Sequence, residues 1–489
     1  MTQAVGVIAS EPAAAPAIAD SRLPVTQKAA YGIGSLADFF LANVLQGLAS
    51  PIYLIAMKLD PGVLGIILAA ARVLGAGCDP IVGNLSDNTH SRWGRRKPYA
   101  LVGAVIGAIA LPLLWTVPAG SLALQGAYIM LIVAVIMVAC SLFSVPFGAI
   151  GLELTDSYDD RTRVFAWRNY IQTAGVFSGS WFYWFCLLPG FGNEVIGARW
   201  LSVIASIIIL GTALTALFVV RPRVKAAISG AKGVPLGRAL RATLSNRPFL
   251  LIQFAGLAVA FGTGIDGPIG MYLHLYYACA GNKTLASVVG GSGGTLCTLA
   301  IFVATPLGLW LSTRFGKREA AICGMSIMAL AVLSITVTMN PHCPYLIVIS
   351  WILSTVGMQI VGLMTASMIG DICDEDELAT GLRREGSYVS VGSFLSKTCQ
   401  VAVLLVGGWL PHAAGYLDLS VPPSAALLER MKWILIGTQF AGAGISLVLL
   451  WMYPLTRERA VNIRRLIEAR RDAASALASA TPLEKGNGV

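Results

Sequence analysis

Asp79-Pro-Ile-Val-Gly-Asn-Leu-Ser-Asp-Asn-Thr-His-Ser-Arg-Trp-Gly-Arg-Arg-Lys-Pro-Tyr99 is the stretch on which the reading of this chain turns. It opens with a lone carboxylate inside an apolar segment and closes in a basic turn, Ser91-Arg-Trp-Gly-Arg-Arg96. That turn recurs as Thr313-Arg-Phe-Gly-Lys-Arg318. Each copy follows the second long apolar run of its half, and each precedes a new apolar run. The repeat predicts two equivalent halves, 27–220 and 248–455, joined by the basic linker 221–247.

Composition sets the class. Of 489 residues only 12% are charged, and the mean hydropathy is +0.72. A typical soluble domain carries about 25% charged residues, so this chain could not cover its surface in water. Apolar runs recur along almost the whole length, each near the ~20 residues that cross a hydrocarbon core. The expected fold class is an all-α polytopic membrane protein. The 52 glycines agree, since small residues let membrane helices approach closely.

Twelve spans are expected, over 28–57, 61–87, 98–117, 121–154, 162–189 and 195–220, then 248–279, 285–313, 318–338, 344–371, 386–411 and 430–454. Basic residues fill alternate loops: Arg92, Arg95, Arg96 and Lys97 after span two, and Arg314, Lys317 and Arg318 after span eight. The linker and the stretch after 455 are basic as well. By the positive-inside rule both termini are cytoplasmic. The formal net charge of +10 is explained by this topology, and no nucleic-acid partner is expected. Residues 1–26 lack the basic and apolar regions of a signal peptide and are expected to form a disordered cytoplasmic tail, and 456–489 a cytoplasmic C-terminal tail. The nine cysteines show no metal-ligand spacing, so neither a metal nor a disulfide framework is expected.

Charges inside apolar spans are costly, about 2.5–3.5 kcal/mol at the bilayer centre, and usually face a cavity or a partner. The candidates are Asp38, Arg72, Asp79, Arg168, Asp266 and Lys397. Arg72 and Asp79 share a helix face two turns apart. Asp79 can exchange a proton if burial raises its pKa, or can coordinate a cation, or can form a fixed pair with Arg72. Arg168 and Gln172, one turn apart, offer donors for sugar hydroxyls or a carboxylate. Lys397 offers a single mobile ammonium. Arg168 and Lys397 can instead form interhelical ion pairs with Asp38 or Asp79. Asp266, flanked by Gly264 and Gly267-Pro268, and His274, two turns on, are pathway candidates. At the loop ends, Asp87, Arg95 and Arg96, with Asp371, Asp374 and Arg383, can close the inner mouth by pairing across the halves.

A second signature is Asp371-Ile-Cys-Asp-Glu-Asp-Glu-Leu-Ala-Thr-Gly-Leu-Arg-Arg-Glu-Gly386, with Lys397 eleven residues on. With the Asp79–Tyr99 run, and Glu153-Leu-Thr-Asp156 followed by Arg161 and Arg168, it resembles the glycoside-pentoside-hexuronide:cation symporters of the major facilitator superfamily. The resemblance covers about 28–455. It implies twelve transmembrane helices in two six-helix bundles, alternating access, and a bacterial cytoplasmic (inner) membrane. It implies that the carboxylate at Asp79 serves the cation and that Arg168 and Lys397 line the sugar cavity; Asp38 and Gln172, by their own placement in apolar spans, are the further candidate substrate contacts.

The family pattern is also departed from. Sodium-using members carry a second aspartate where Gly75 stands, and an acid where Ser144 stands. Their sugar-stacking aromatic positions fall at Gly148 and Gly362, and their sugar-binding aspartate falls at Phe39, one place from Asp38. A proton is therefore expected as the co-transported cation over sodium, and no bound cofactor is expected. The expected partners are a glycoside or sugar acid and membrane lipid, with the chain acting as a monomer. A lysolipid or another amphiphile is the alternative substrate. A membrane-embedded enzyme or a non-transporting sensor is more remote, because His90, His274, His342 and His412 lie on separate segments and no nucleophile–base set converges.

Overall fold

The computed structural model describes residues 23–89, 91–155, 158–221, 243, 245–380, 385–417, 421–463, 465–467 and 469. Among them every regular element is helical. In hydrocarbon, backbone N–H and C=O groups must find partners within the chain, which confines apolar segments to helices. Helix α1 (Val25–Leu48) runs on into a π-helical stretch, Ala49–Ala56. There follow α2 (Pro61–Asn88), α3 (Lys97–Leu113), α4 (Leu122–Leu152), α5 (Tyr158–Gly179), α6 (Phe182–Cys186) and α7 (Glu194–Val219). The second half holds α8 (Arg247–Gly264), α9 (Asp266–Tyr272) with a π-helical stretch Leu273–Ala278, α10 (Lys283–Phe315), α11 (Lys317–Thr338), α12 (Ile347–Thr380), α13 (Glu385–Ala413) and α14 (Ala425–Trp451).

Ten helical stretches are long and apolar enough to cross a membrane, and α3 is a shorter apolar helix. In α5 the apolar run is interrupted by Asp160, Arg163 and Arg168. Helix starts follow local chemistry. Asp60, Asn193, Asn246 and Asn282 each accept the backbone N–H three residues on, at 2.8–3.0 Å, which satisfies one of the four orphan donors there.

The internal repeat extends well beyond the basic turn. Met57 N–H donates to the Ile52 carbonyl, and Cys279 N–H donates to that of His274. Leu59 N–H donates to the Tyr53 carbonyl, and Gly281 N–H to that of Leu275. Lys58 and Ala280 then take positive φ, 54° and 50°. Lys58 and Ala280, the caps Asp60 and Asn282, and Ser91 and Thr313 are all separated by one and the same interval. Both halves therefore end their first helix in a widened turn and enter their second through a left-handed residue. Such a conformation costs a side-chain-bearing residue about 1–2 kcal/mol, so its recurrence marks a duplicated construction.

The start of the first helix differs from expectation. Helix α1 begins at Val25, inside the stretch expected as tail, and Leu23 is buried with its N–H donating to Asp160 Oδ2 at 2.8 Å. Asp160 also holds Lys28 at 2.6 Å. After 455, residues 457–463 and 465–467 are helical. Ile463 and Ile467 join the core of the second half, and Arg459 pairs with Glu375 at 2.7 Å. Apolar residues one turn apart make this segment amphipathic, which is why it docks.

The basic loops define one end of the molecule. One buried apolar cluster runs through α1, α3, α4 and α7 of the first half and, at the opposite, far end, into residues of the second half, among them Ile269, Val289, Val332 and Leu435. A second cluster, including Phe249, Met325, Ile372 and Tyr453, contains second-half residues only. The hydrophobic seam between the halves is thus built at the far end.

Candidate functional site

A cavity of about 490 Å³ lies between the halves, walled by Gln46 of α1, Arg72 and Asp79 of α2, Ser141 and Ser144 of α4, and Lys397 of α13. The last helix adds Ser393, Ser396 and Gln400. With Lys397 these stand at helical spacing on one face of an otherwise apolar helix. This polar stripe was legible in the sequence, and reading Lys397 alone missed it.

Asp79 sits at the centre. Lys397 Nζ donates to its Oδ2 at 2.6 Å across the two halves, and Ser141 Oγ donates to its Oδ1 at 2.6 Å. The Lys397 and Asp79 side chains are 45% and 31% exposed. An exposed pair of this kind contributes only about 0–1 kcal/mol, so it can break in each cycle. Arg72, two turns before Asp79, faces the same cavity and has no hydrogen bond or ion pair among the described residues. The described walls therefore carry two cations against one carboxylate.

Behind the cavity lies a second network. Arg168 Nη2 donates to Asp38 Oδ2 at 3.0 Å, and Ser144 also donates to Asp38. The guanidinium carbon stands 5.9 Å from the Phe147 ring. Arg168 and Asp38 thus meet each other, and they reach the cavity through Ser144. Gln172 is half-buried and makes no hydrogen bond among the described residues. Ser141 serves Asp79 and Ser144 serves Asp38, and their spacing of three residues was the available signal.

The remaining candidates separate. Asp266 opens α9, and its side chain lies outside the described set, as does Arg383. His274 walls a different space, with Trp351. At the basic end, Arg96 Nη2 meets Asp87 at 2.8 Å, Arg95 meets Glu153, and Lys317 meets Asp371 at 2.6 Å. Each of these pairs stays within one half, and Asp374 is half-buried. The described ion pairs that cross between the halves are Asp79–Lys397 and two more at the far end. There Asp60 meets His412 at 2.8 Å and Glu194 meets Lys283 at 2.5 Å. Trp181 Nε1 donates to Thr295 Oγ1 at 3.0 Å. A Cβ on Gly65 would stand 2.6 Å from the Leu404 carbonyl and 3.0 Å from Gly408 Cα, so α2 and α13 touch backbone to backbone.

Asp60→Asn combined with Glu194→Gln is expected to loosen this far-end contact. Two partly buried pairs at about 0.5 kcal/mol each would together shift the open population by about five-fold. The measure is the labelling rate of Ser50→Cys in a protein whose native cysteines are replaced. An unchanged rate would show that the pairs do not hold the far end shut.

Among known families, the one described as MFS/sugar transport protein matches residues 30–457. The isoprimeverose transporter of Lactiplantibacillus pentosus is 24% identical over 458 residues, covering 92% of this chain and 93% of its own. The mouse sphingosine-1-phosphate transporter MFSD2B is 26% identical over 386 residues, covering 73% and 74%. The crystal structure of a D-xylose-proton symporter superposes with a TM-score of 0.60 at 14% identity, over 88% of this chain and 97% of its own, and that of the nucleoside transporter NupG with a TM-score of 0.61 at 16% identity, over 87% and 98%. At such identities the structural likeness speaks for the fold. The protein is an integral, multi-pass membrane transporter and not an enzyme, and it belongs to the MFS/sugar transport protein family.

Proposed function

We propose that this protein is a secondary active symporter that carries a sugar, glycoside or hexuronide with a cation, most readily a proton, by alternating access. The observation that carries this reading is the Asp79–Lys397 pair. It joins the two halves inside a polar cavity, at the place where a proton and a substrate can each alter it. Protonation of Asp79 removes its charge and releases the Lys397 ammonium to the substrate. Binding and proton uptake are then coupled through one lysine, whose movement also frees α2 from α13.

The cavity chemistry suits a hydroxylated, acid-bearing solute. Arg72 and Lys397 can meet a carboxylate, while Gln46, Gln400 and the serines can meet hydroxyls. An amphiphile, suggested by the name of the mouse relative, is the weaker reading, because a lipid tail would lie against these polar groups. The far-end contacts, with ion pairs held within each half at the basic end, support a conformation open toward the basic end. In this reading twelve helices form two six-helix bundles, 27–220 and 248–455, linked through 221–247. The basic end and both termini face the cytoplasm across a bacterial inner membrane, and one chain forms the whole pathway.

The test is uptake into proteoliposomes of labelled xylosides, glucosides, glucuronides and a lysolipid, under an inward proton gradient. Accumulation of a sugar or sugar acid above the external level is expected. Accumulation of the lysolipid alone would replace the substrate assignment.

A further inference from the structure

A furrow of about 900 Å³ runs along the second half between α8 and α14, with Cys399 of α13 at its edge. It shares no lining residue with the central cavity. Phe249, Ile252, Ala255 and Val259 turn one face of α8 into the core of the second half, and Ala443 and Leu450 do the same for α14. The furrow lies on other faces of the two helices, where Phe254 and Ile445 are 49% and 55% exposed. In a membrane-spanning chain an apolar outer surface of this kind meets hydrocarbon.

Its shape follows from residue size. Gly262 and Gly442 form the floor. A Cβ on Gly442 would stand 2.6 Å from the Ala258 carbonyl, and one on Gly262 would stand 3.0 Å from that of Thr438, so the two helices touch there backbone to backbone. Leu250, Phe254 and Phe261 rise on one side, and Ile445 and Leu449 on the other. From Thr438 to Leu449 the α14 wall covers about 16 Å of helix rise, close to half of a ~30 Å hydrocarbon core. The furrow therefore matches one acyl chain of one leaflet in both length and polarity.

Charge fixes the leaflet and the headgroup. Helix α8 begins at Arg247, which lines the furrow at the basic end. Helix α14 finishes at the same end, where Arg318 of the basic turn donates to the Leu450 carbonyl at 3.3 Å. Arg247 is exposed and makes no hydrogen bond or ion pair among the described residues. No carboxylate lines the furrow. A guanidinium thus stands at headgroup depth over the mouth of an apolar channel, with its donors unspent. Its planar fork grips a phosphate through two parallel N–H donors. A zwitterionic phospholipid presents that phosphate beside a cation of its own, whereas an anionic one brings the net negative charge that this mouth lacks.

We propose that the furrow binds an anionic phospholipid of the leaflet at the basic end, with its phosphate on Arg247 and one acyl chain between α8 and α14. The bound lipid would also lie against the outer side of α13, the helix that carries Lys397.

The experiment is native mass spectrometry of the purified full-length protein with phosphatidylglycerol, phosphatidylethanolamine and phosphatidylcholine of identical chains. The wild type is expected to hold phosphatidylglycerol more tightly than the other two. Arg247→Gln should weaken phosphatidylglycerol binding by about five-fold and remove the preference. Arg247→Lys should keep most of it. Arg92→Gln, at an exposed arginine of the basic end in the first half, should change nothing. Ala441→Phe, at an exposed position on the furrow, should weaken all three lipids by filling the space for the chain. Phosphatidylglycerol with a diazirine on its chain should label α8 and α14 in the wild type and lose that label in Ala441→Phe. Equal binding of the three lipids, equal losses in Arg247→Gln and Arg92→Gln, or label spread evenly over the helices would overturn the site. So would a wild-type dimer that Ala441→Phe converts to a monomer, since a second copy of the chain would then be the occupant.

Discussion

Asp79→Asn is expected to abolish accumulation of substrate while leaving binding and substrate exchange in place. The amide keeps the shape of the carboxyl and can still accept from Ser141, which now stands 2.6 Å from Asp79 Oδ1. It cannot take up and release a proton, and it cannot hold Lys397 as an ion pair. Lys397 would then stay available to substrate throughout the cycle, so the protein should equilibrate substrate across the membrane without concentrating it. Uptake down a gradient, and exchange in preloaded vesicles, measure the retained part. Full accumulation by this variant would remove Asp79 from the coupling step.

Lys397→Ala is expected to weaken substrate binding by about ten- to one-hundred-fold, the worth of one charge-assisted hydrogen bond at about 1.5–3 kcal/mol. Protein yield should change little, because the pair it forms with Asp79 is half-exposed and holds little folding energy. Arg168→Ala offers the contrast. Its partner Asp38 is 14% exposed and lies behind the cavity, so that substitution should reduce the amount of folded protein more than the affinity of what remains. The two variants are separated by titration of purified protein alongside its thermal stability. Normal affinity in Lys397→Ala would make that residue a strut between α2 and α13.

The helices and their caps were legible because they depend on neighbours in sequence. Apolar runs set the spans, and Asp60, Asn246 and Asn282 stand where a cap must stand. The duplicated turn was visible at Ser91 and Thr313, whereas its continuation through Lys58 and Ala280 lies in backbone geometry that side-chain identity does not reveal. The site was legible as a list and not as an arrangement. Asp38, Asp79, Arg168 and Lys397 stood out because charge is scarce in apolar helices. Which carboxylate meets which cation depends on helix packing, and Asp79 and Lys397 are brought together from opposite halves. Seven-residue spacing made Arg72 a natural partner for Asp79, yet the closer ammonium of Lys397 takes that place. Lys432 escaped notice because it sits near the start of its span. It is buried, donates to Tyr277 Oη and the Thr336 carbonyl at 3.3 Å, and lies 4.8 Å from the Tyr277 ring centre. Asp371 and Asp87 were read as cross-half gate charges, and their described partners, Lys317 and Arg96, each lie in the same half as the carboxylate.

The central claim is that a titrating carboxylate couples transport to protons. One monovalent cation falling through ~100 mV releases about 2.3 kcal/mol, enough for roughly fifty-fold accumulation of a neutral solute, so a single Asp79 suffices energetically. The direct measurement is substrate accumulation by wild-type proteoliposomes under an imposed proton gradient without sodium, and under an imposed sodium gradient without a proton gradient. Accumulation driven by the proton gradient, absent in Asp79→Asn, is the expected result. Accumulation that follows sodium and ignores the proton gradient would contradict it, and would require further oxygen ligands around Asp79.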